Sequence, residues 1–293
     1  MPLTLSPQDN LPRIIRAAPI GICITNAQGL FEMVNPAYCD FYGYAEEELL
    51  GQHFTLVVPQ AEQARLNELH DAFIRGEAEQ EYRQEWEVCR KNGERRTVLA
   101  EASRLVDAQG EVKKVTYVVD ITEQKTLQRR LAFLASHDEL TGLFNRRAGM
   151  SRLDEEIRRS QRYATPLSVA IADLDHFKRI NDRHGHAVGD EVLCETAELM
   201  RQGLRASDVL VRLGGEEFLV ILPGVDRPRA LEAIERLRRL IELTPMGHQG
   251  LALTLSAGVA NWQAEETSHA LLERADKALY RAKAEGRNLA LVT

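Results

Sequence analysis

The stretch Gly214-Gly215-Glu216-Glu217-Phe218 lies between two apolar runs, Val209 to Leu213 and Phe218 to Leu222. Each run has strand character, and two glycines between strands read as a tight hairpin turn. The carboxylates of Glu216 and Glu217 are then held on rigid backbone beside a turn without side chains. A solvated turn is one reading; close approach of a cation or a phosphate is the other. Upstream, Asp173-Leu174-Asp175-His176-Phe177-Lys178 follows a short buried-type strand, Leu167 to Ala172. An acid at the end of such a strand faces the cleft where α/β proteins bind ligands. If the two strands are neighbours, Asp173 meets Glu216 and Glu217, and converging carboxylates repel unless a cation separates them. Hard oxygen ligands suit Mg²⁺, which also takes water and substrate phosphate. Acids favouring the dipole at a helix N-terminus are the competing explanation.

Composition narrows the field. The 293 residues allow about two domains. A net charge of -7 argues against a general nucleic-acid binder, which needs a basic surface excess, but leaves room for nucleotides. No apolar run reaches the roughly 18 residues needed to span a membrane, and no secretory signal pattern opens the chain. Cys23, Cys39, Cys89 and Cys194 are far apart and lack C-x-x-C spacing, so neither a zinc site nor a disulfide framework is expected. A cytoplasmic protein is the expectation.

The organisation changes twice along the chain. Residues 1–12, with Pro2, Pro7 and Pro12, read as a loose tail. Over 13–121, short strands are expected at Gly21 to Thr25, Phe31 to Val34, Tyr82 to Cys89, Arg96 to Arg104 and Lys114 to Val119, with turns at Asn26 to Gly29, Asn92-Gly93 and Gln109-Gly110. Helical stretches lie between Pro36 and Leu50 and between Gln60 and Arg75, giving an antiparallel sheet with helices to one side. Residues 122–135 contain no turn former, and Leu127, Leu131 and Leu134 fall on one helical face, a linker helix able to pair in a dimer. Over 136–293, strands alternate with longer helices: Asp190 to Leu204, a helix opened by Pro228, a strand Leu251 to Ala260, and a last helix Ser268 to Glu285. This is an α/β pattern whose hairpin excludes a purely parallel sheet. His176, His184 and His186 match no zinc-ligand spacing.

Residues 136–293 resemble a GGDEF domain, the palm-like fold of diguanylate cyclases. The resemblance rests on the block from Asp138-Glu139-Leu140-Thr141-Gly142 to Arg147, on Asp173 to Asp182, Gly185-His186 and Gly189-Asp190, on the hairpin, and on Ala275 to Asn288. It implies condensation of two GTP into cyclic di-GMP and two pyrophosphates. It implies Mg²⁺, with Mn²⁺ as an alternative, held by Asp173, the Leu174 carbonyl and Glu216, with Glu217 close by. Glu216, Glu217 and Lys178 take catalytic roles, Glu216 as acceptor of the 3′-hydroxyl proton. Asn181 and Asp190 would read guanine, Lys283 and Arg287 the terminal phosphates, and Gly214, Gly215 and His186 complete the substrate site. Arg205 and Asp208, five residues before the hairpin, correspond to the family's product-binding inhibitory site.

Residues 13–121 resemble a PAS sensor domain, through Ala18 to Ile22, Val34-Asn35-Pro36-Ala37, Tyr42-Gly43-Tyr44, Glu48 to Gly51, Lys91-Asn92-Gly93 and Asp120-Ile121-Thr122. Phe54 stands where flavin photosensors carry a reactive cysteine. His53 and His70 are expected on the surface rather than as haem ligands, and the sensed ligand is not identified. Because one site holds one GTP and the product contains two, a homodimer through the PAS domain and linker helix is expected. A catalytically idle GTP or cyclic di-GMP receptor is the alternative; such relatives usually lose the acids kept here. Only six residues follow Arg287, so no hydrolase domain is expected after it.

Overall fold

The computed structural model describes residues 7–77 and 82–293. The chain divides into two units, Met1–Arg130 and Leu131–Thr293. In the first, strands β1 (Gly21–Thr25), β2 (Phe31–Val34), β3 (Tyr82–Cys89), β4 (Arg95–Val106) and β5 (Val112–Asp120) form one sheet in the order β2-β1-β5-β4-β3, antiparallel throughout. Turn chemistry fixes the connections. Asn26 Oδ1 accepts from the amides of Gln28 and Leu30 at 3.0 and 2.9 Å, an Asx turn that closes the β1–β2 hairpin. The helices are α1 (Pro7–Ala17), α2 (Pro36–Tyr42), α3 (Glu46–Leu49) and α4 (Gln60–Arg75). Asn35 caps α2 from the interior: its Oδ1 accepts from Tyr38 and Ile22 amides, while Nδ2 donates to the carbonyls of Ile15 and Ile20. All its hydrogen-bonding capacity is used, as burial demands. Phe31, Tyr38, Tyr42, Leu49, Val98 and Val118 form the core.

Two expectations change here. The loose tail of residues 1–12 is helical from Pro7; residues 1–6 lie outside the described residues. Proline at a first helical position costs nothing, because its missing N–H has no helical partner there. The single stretch between Pro36 and Leu50 is two helices, broken at Gly43 with φ 77°.

Helix α5 (Thr122–Ser136) joins the units. The second unit contains β6 (Phe144–Asn145), α6 (Arg146–Tyr163), β7 (Leu167–Leu174), α7 (Phe177–His184), α8 (His186–Gly203), β8 (Val209–Gly214), β9 (Glu217–Pro223), α9 (Arg227–Leu243), β10 (Leu255–Asn261), α10 (Ser268–Ala284) and β11 (Ala290–Val292). The sheet order is β11-β10-β7-β9-β8-β6. Its central four strands are antiparallel, and only the edge strands β6 and β11 pair in parallel. Strand β7 is buried along its whole length because both faces are covered. Ala170, Ala172 and Leu174 meet Val192 and Met200 of α8 and Ile234 of α9 on one face. Val169 and Ile171 meet Leu153 of α6 and Leu271 of α10 on the other. The period of two therefore disappears from the sequence, which reads as a continuous apolar run.

The expected strand from Leu251 begins only at Leu255, since Leu251 forms an isolated bridge with Met246. Strand β10 approaches α10 so closely that a Cβ on Gly258 would lie 2.0 Å from the Ala275 carbonyl oxygen and 2.2 Å from the Leu279 nitrogen. Those are backbone atoms and cannot rotate away. Gly258→Ala is expected to destabilise the second unit by about 1–3 kcal/mol or more. A lowered urea midpoint at unchanged slope checks this; an unchanged midpoint would contradict the packing.

Candidate active site

Buried apolar residues on both faces of β7 and β9 leave their register no freedom, because a one-residue slip would turn every side chain over. That register sets Asp173 of β7 directly opposite Glu217 of β9, and opposite Ser256 of β10 on its other side. The hairpin turn is Gly215-Glu216, one residue later than the two-glycine reading: Gly214 ends β8 and Glu217 begins β9. Gly215 takes φ 53°, which glycine adopts without strain. Glu216 thus sits in the turn itself, and its carbonyl accepts from the Leu174 amide at 3.3 Å. Asp173, Leu174, Glu216 and Glu217 are brought together at one end of the sheet.

Like charges directly opposite on neighbouring strands repel. Asp173 is only 6% exposed, and burial pushes its carboxyl above the usual carboxylate range against the pull of Lys283, whose Nζ lies 2.8 Å from Oδ2. Partial burial, and then the charge of Asp173, raise Glu217 as well. Arg287, exposed in the left-handed region at φ 66°, adds positive potential at Asp173. Asp175, although part of the same Asp-Leu-Asp run, stays out of this cluster. Its oxygens accept from Thr254 Oγ1 (2.8 Å), Ser256 Oγ (2.7 Å) and the Asn288 amide (2.9 Å). It fixes the loop that carries Arg287.

The donors facing one another are carboxylates and backbone oxygens, the hard set that Mg²⁺ takes. Among the described residues no group of three or more His, Cys, Asp or Glu side chains could hold a metal ion. Mg²⁺ does not need one: it is bound through one or two carboxylates, with substrate phosphates and waters filling the octahedron. The two opposed acids, with Glu216 and Leu174 adjoining, fit that requirement.

The other expected residues fall into two further places. Asn181 of α7 packs so closely on Gly189 of α8 that a Cβ there would collide with its Oδ1, and Asp190 is the next residue of α8. Lys178 and His186 are exposed, each within the first two residues of its helix. Arg205 and Asp208 lie in the turn that precedes β8, with Asp208 about 20 Å from Gly214 at roughly 3.4 Å per strand residue. Asp208 accepts from the Arg205 amide at 2.9 Å, a turn that leaves the Arg205 side chain exposed. His176, with φ 59°, precedes α7.

One brace was not anticipated. Arg212 donates Nε and Nη2 to the Gly215 carbonyl at 3.0 and 2.8 Å and Nη1 to Asp138 at 2.8 Å. Asp138 in turn accepts from the amide and hydroxyl of Thr141. The acidic turn is therefore tied to the segment that follows α5. Only the placement of Asp138 and Thr141 in a quoted motif signals it; Arg212 reads simply as a polar residue in a strand.

Residues 135–289 match the family described as diguanylate cyclase, GGDEF domain. The chain belongs to the GGDEF family. Residues 9–120 match the PAS fold. Over 153 residues the chain is 46% identical to the diguanylate cyclase DgcP of Pseudomonas aeruginosa, covering 52% of this chain and 23% of that protein. Over 294 residues it is 34% identical to an uncharacterised signalling protein of Caulobacter vibrioides, covering 96% of this chain and 34% of that protein. The chain spans under half the length of these relatives. Among solved structures, it is similar to the coiled coil and GGDEF domain of DgcB from Caulobacter crescentus in complex with c-di-GMP. That match has a TM-score of 0.56 and 29% identity, and covers 59% of this chain and 93% of that one. GGDEF diguanylate cyclases use divalent metal ions.

The raised pKa of Glu217 has a definite sign in stability. Its folded-state value lies above the unfolded one, so its ionisation costs stability above the folded pKa and nothing below the usual carboxylate range. Glu217→Gln is therefore expected to raise the apo-protein melting temperature at pH 7.5, with the gain shrinking at pH 4.5. A variant less stable than wild type at pH 7.5 would contradict this electrostatic account.

Proposed function

We propose that this protein condenses two GTP into cyclic di-GMP and two pyrophosphates, and that its N-terminal PAS domain regulates the reaction. The observation that carries the proposal is the enforced opposition of Asp173 and Glu217 beside the Glu216 turn, with Lys283 2.8 Å from Asp173. A divalent ion, Mg²⁺ or Mn²⁺, held there would supply positive charge against the negative charge that develops on the triphosphate. Asp173, Leu174, Glu216 and Glu217 would hold it. The 3′-oxygen of each GTP attacks the α-phosphorus of the other in turn, and one pyrophosphate leaves with each new bond; Glu216 would accept the hydroxyl proton. Lys178 stabilises charge on the reacting phosphates, and Lys283 and Arg287 hold the terminal ones.

Base selection falls to Asn181 and Asp190. A carboxylate that accepts from guanine N1–H and N2–H₂ excludes adenine, which offers neither donor. His186, Gly214 and Gly215 line the same substrate. Product inhibition is assigned to Arg205 and Asp208: a guanidinium free of the neighbouring carboxylate can fork onto guanine O6 and N7.

Two GTP must meet, so two active sites must face each other. Leu127 and Leu131 on α5 are 56% and 66% exposed, which supports the reading of this helix as the pairing seam of a homodimer rather than a spacer packed on its own chain. At the helix start, the Thr97 amide donates to Thr122 Oγ1 at 2.9 Å and Lys125 pairs with Glu85 at 2.7 Å, so movement of the PAS sheet is transmitted to it.

Asp173→Asn and Glu216→Gln keep size and remove charge. Each is expected to lower cyclic di-GMP synthesis at least a hundredfold with the fold intact. Near wild-type turnover in either would overturn the assignment. Arg205→Ala should weaken product binding at least tenfold and let product accumulate further before synthesis slows. Unchanged cyclic di-GMP affinity by calorimetry would remove the inhibitory role.

A further inference from the structure

The expectation that His70 lies on the surface is wrong: it is 2% exposed and lines a cavity of about 100 Å³ inside the PAS unit. Helix α4 presents it inward, where its ring stacks at 5.2 Å from Phe54. Among the described residues neither ring nitrogen has a partner at strict hydrogen-bond geometry, and the backbone of Ala27 and Asn26 lies close enough to act as a weak acceptor that raises its pKa, against the larger lowering by burial. His53, by contrast, is bonded to Thr55 at 2.9 Å. Buried polar atoms without partners are rare and call for an explanation.

A second orphan shares the cavity. Strand alternation turns Lys113 and Lys114 to opposite faces of β5. Lys113 faces Glu32, Asp107 and Glu111 and forms ion pairs with all three. Lys114 faces the cavity, opposite Thr25 of β1, and pairs with no carboxylate among the described residues; its ammonium lies 5.3 Å from the centre of the Phe73 ring. His70 and Lys114 line the same cavity; burial lowers the pKa of each, and the Lys114 charge lowers that of His70 further. Lys114 is half-buried, and even partial withdrawal of an ammonium from water without a counter-ion is costly. The rest of the wall is largely apolar, with Phe54, Val57, Val58 and Trp86.

We propose that this cavity binds a short-chain carboxylate, whose charged end pairs with Lys114 and accepts a hydrogen bond from His70 while its alkyl end lies against Val57, Val58 and Trp86. Volume sets the class. An engineered cavity of about 150 Å³ accepts the six ring atoms of benzene, so this one takes about four to five non-hydrogen atoms, the size of acetate or propionate. Haem and flavins need several hundred Å³ and are excluded from it. The inference deepens the sensor reading and rests on it only for its effect on synthesis.

The test is calorimetric titration of the full chain with acetate and propionate, against the matched neutral acetamide and propionamide and against inorganic phosphate, which has no alkyl end. Saturable binding of a carboxylate, at least tenfold tighter than its amide and than phosphate, is expected. Lys114→Met, which keeps the stem and removes the charge, should weaken carboxylate binding at least tenfold while melting no lower than wild type. His70→Phe should weaken it as well. No saturable carboxylate binding, equal binding of the amide, tighter binding of phosphate, or unchanged affinity in Lys114→Met would each overturn the proposal. Cyclic di-GMP synthesis with and without propionate is measured in parallel. Binding without a change in rate retains the site and removes the sensor role, and absence of synthesis from GTP bears on the cyclase reading alone.

Discussion

Two carboxylates held opposite each other across a strand pair are the constraint on which this molecule turns. Asp173 and Glu217 do not choose to be neighbours; the buried runs of β7 and β9 impose it. The apolar burial that fixes the register is large, and the repulsion it overrides is small by comparison. Lys283 supplies a local counter-charge, and Arg212 and Asp175 hold the turn and the Arg287 loop from behind. The sheet thus keeps an electrostatically unfavourable cluster in place, and in the proposed reaction that arrangement is preorganisation for a cation and a triphosphate.

Much of this was legible in the chain. The strand ends at Thr25 and Phe31 follow from turn residues with a mechanism, Asn26 and Gly29 among them. The acids at 173, 216 and 217 stood out because each follows or flanks an apolar run. What was not legible was cross-strand order: β7 pairs with β9 and β10, both distant in sequence, so the antiparallel centre of the second sheet is invisible to local pattern. Arg212 and Asp138, 74 residues apart, illustrate the same limit. His70 misled because surface and cavity positions on an amphipathic helix differ only in what tertiary packing puts above them.

The two units need a common element if sensing is to reach synthesis. Helix α5 is anchored at its start by Thr122 and Lys125, and near its end the Asn145 side-chain amide donates to the Leu134 carbonyl at 3.4 Å. The segment immediately after it holds Asp138, and so the acidic turn through Arg212. In the proposed homodimer, a rotation of the two α5 helices would shift populations between productive and unproductive encounters of the two half-sites without altering either half-site's own chemistry.

The central claim is that two such half-sites must meet to join two GTP. Its most direct test is the initial rate of cyclic di-GMP formation from GTP and Mg²⁺, measured across protein concentrations that span the dimerisation midpoint found by light scattering. The account predicts cyclic di-GMP as product and a rate per chain that rises with concentration and levels off as the dimer saturates. A rate per chain that stays constant down to dilutions where only monomer is present, or no cyclic di-GMP at any concentration, would contradict it.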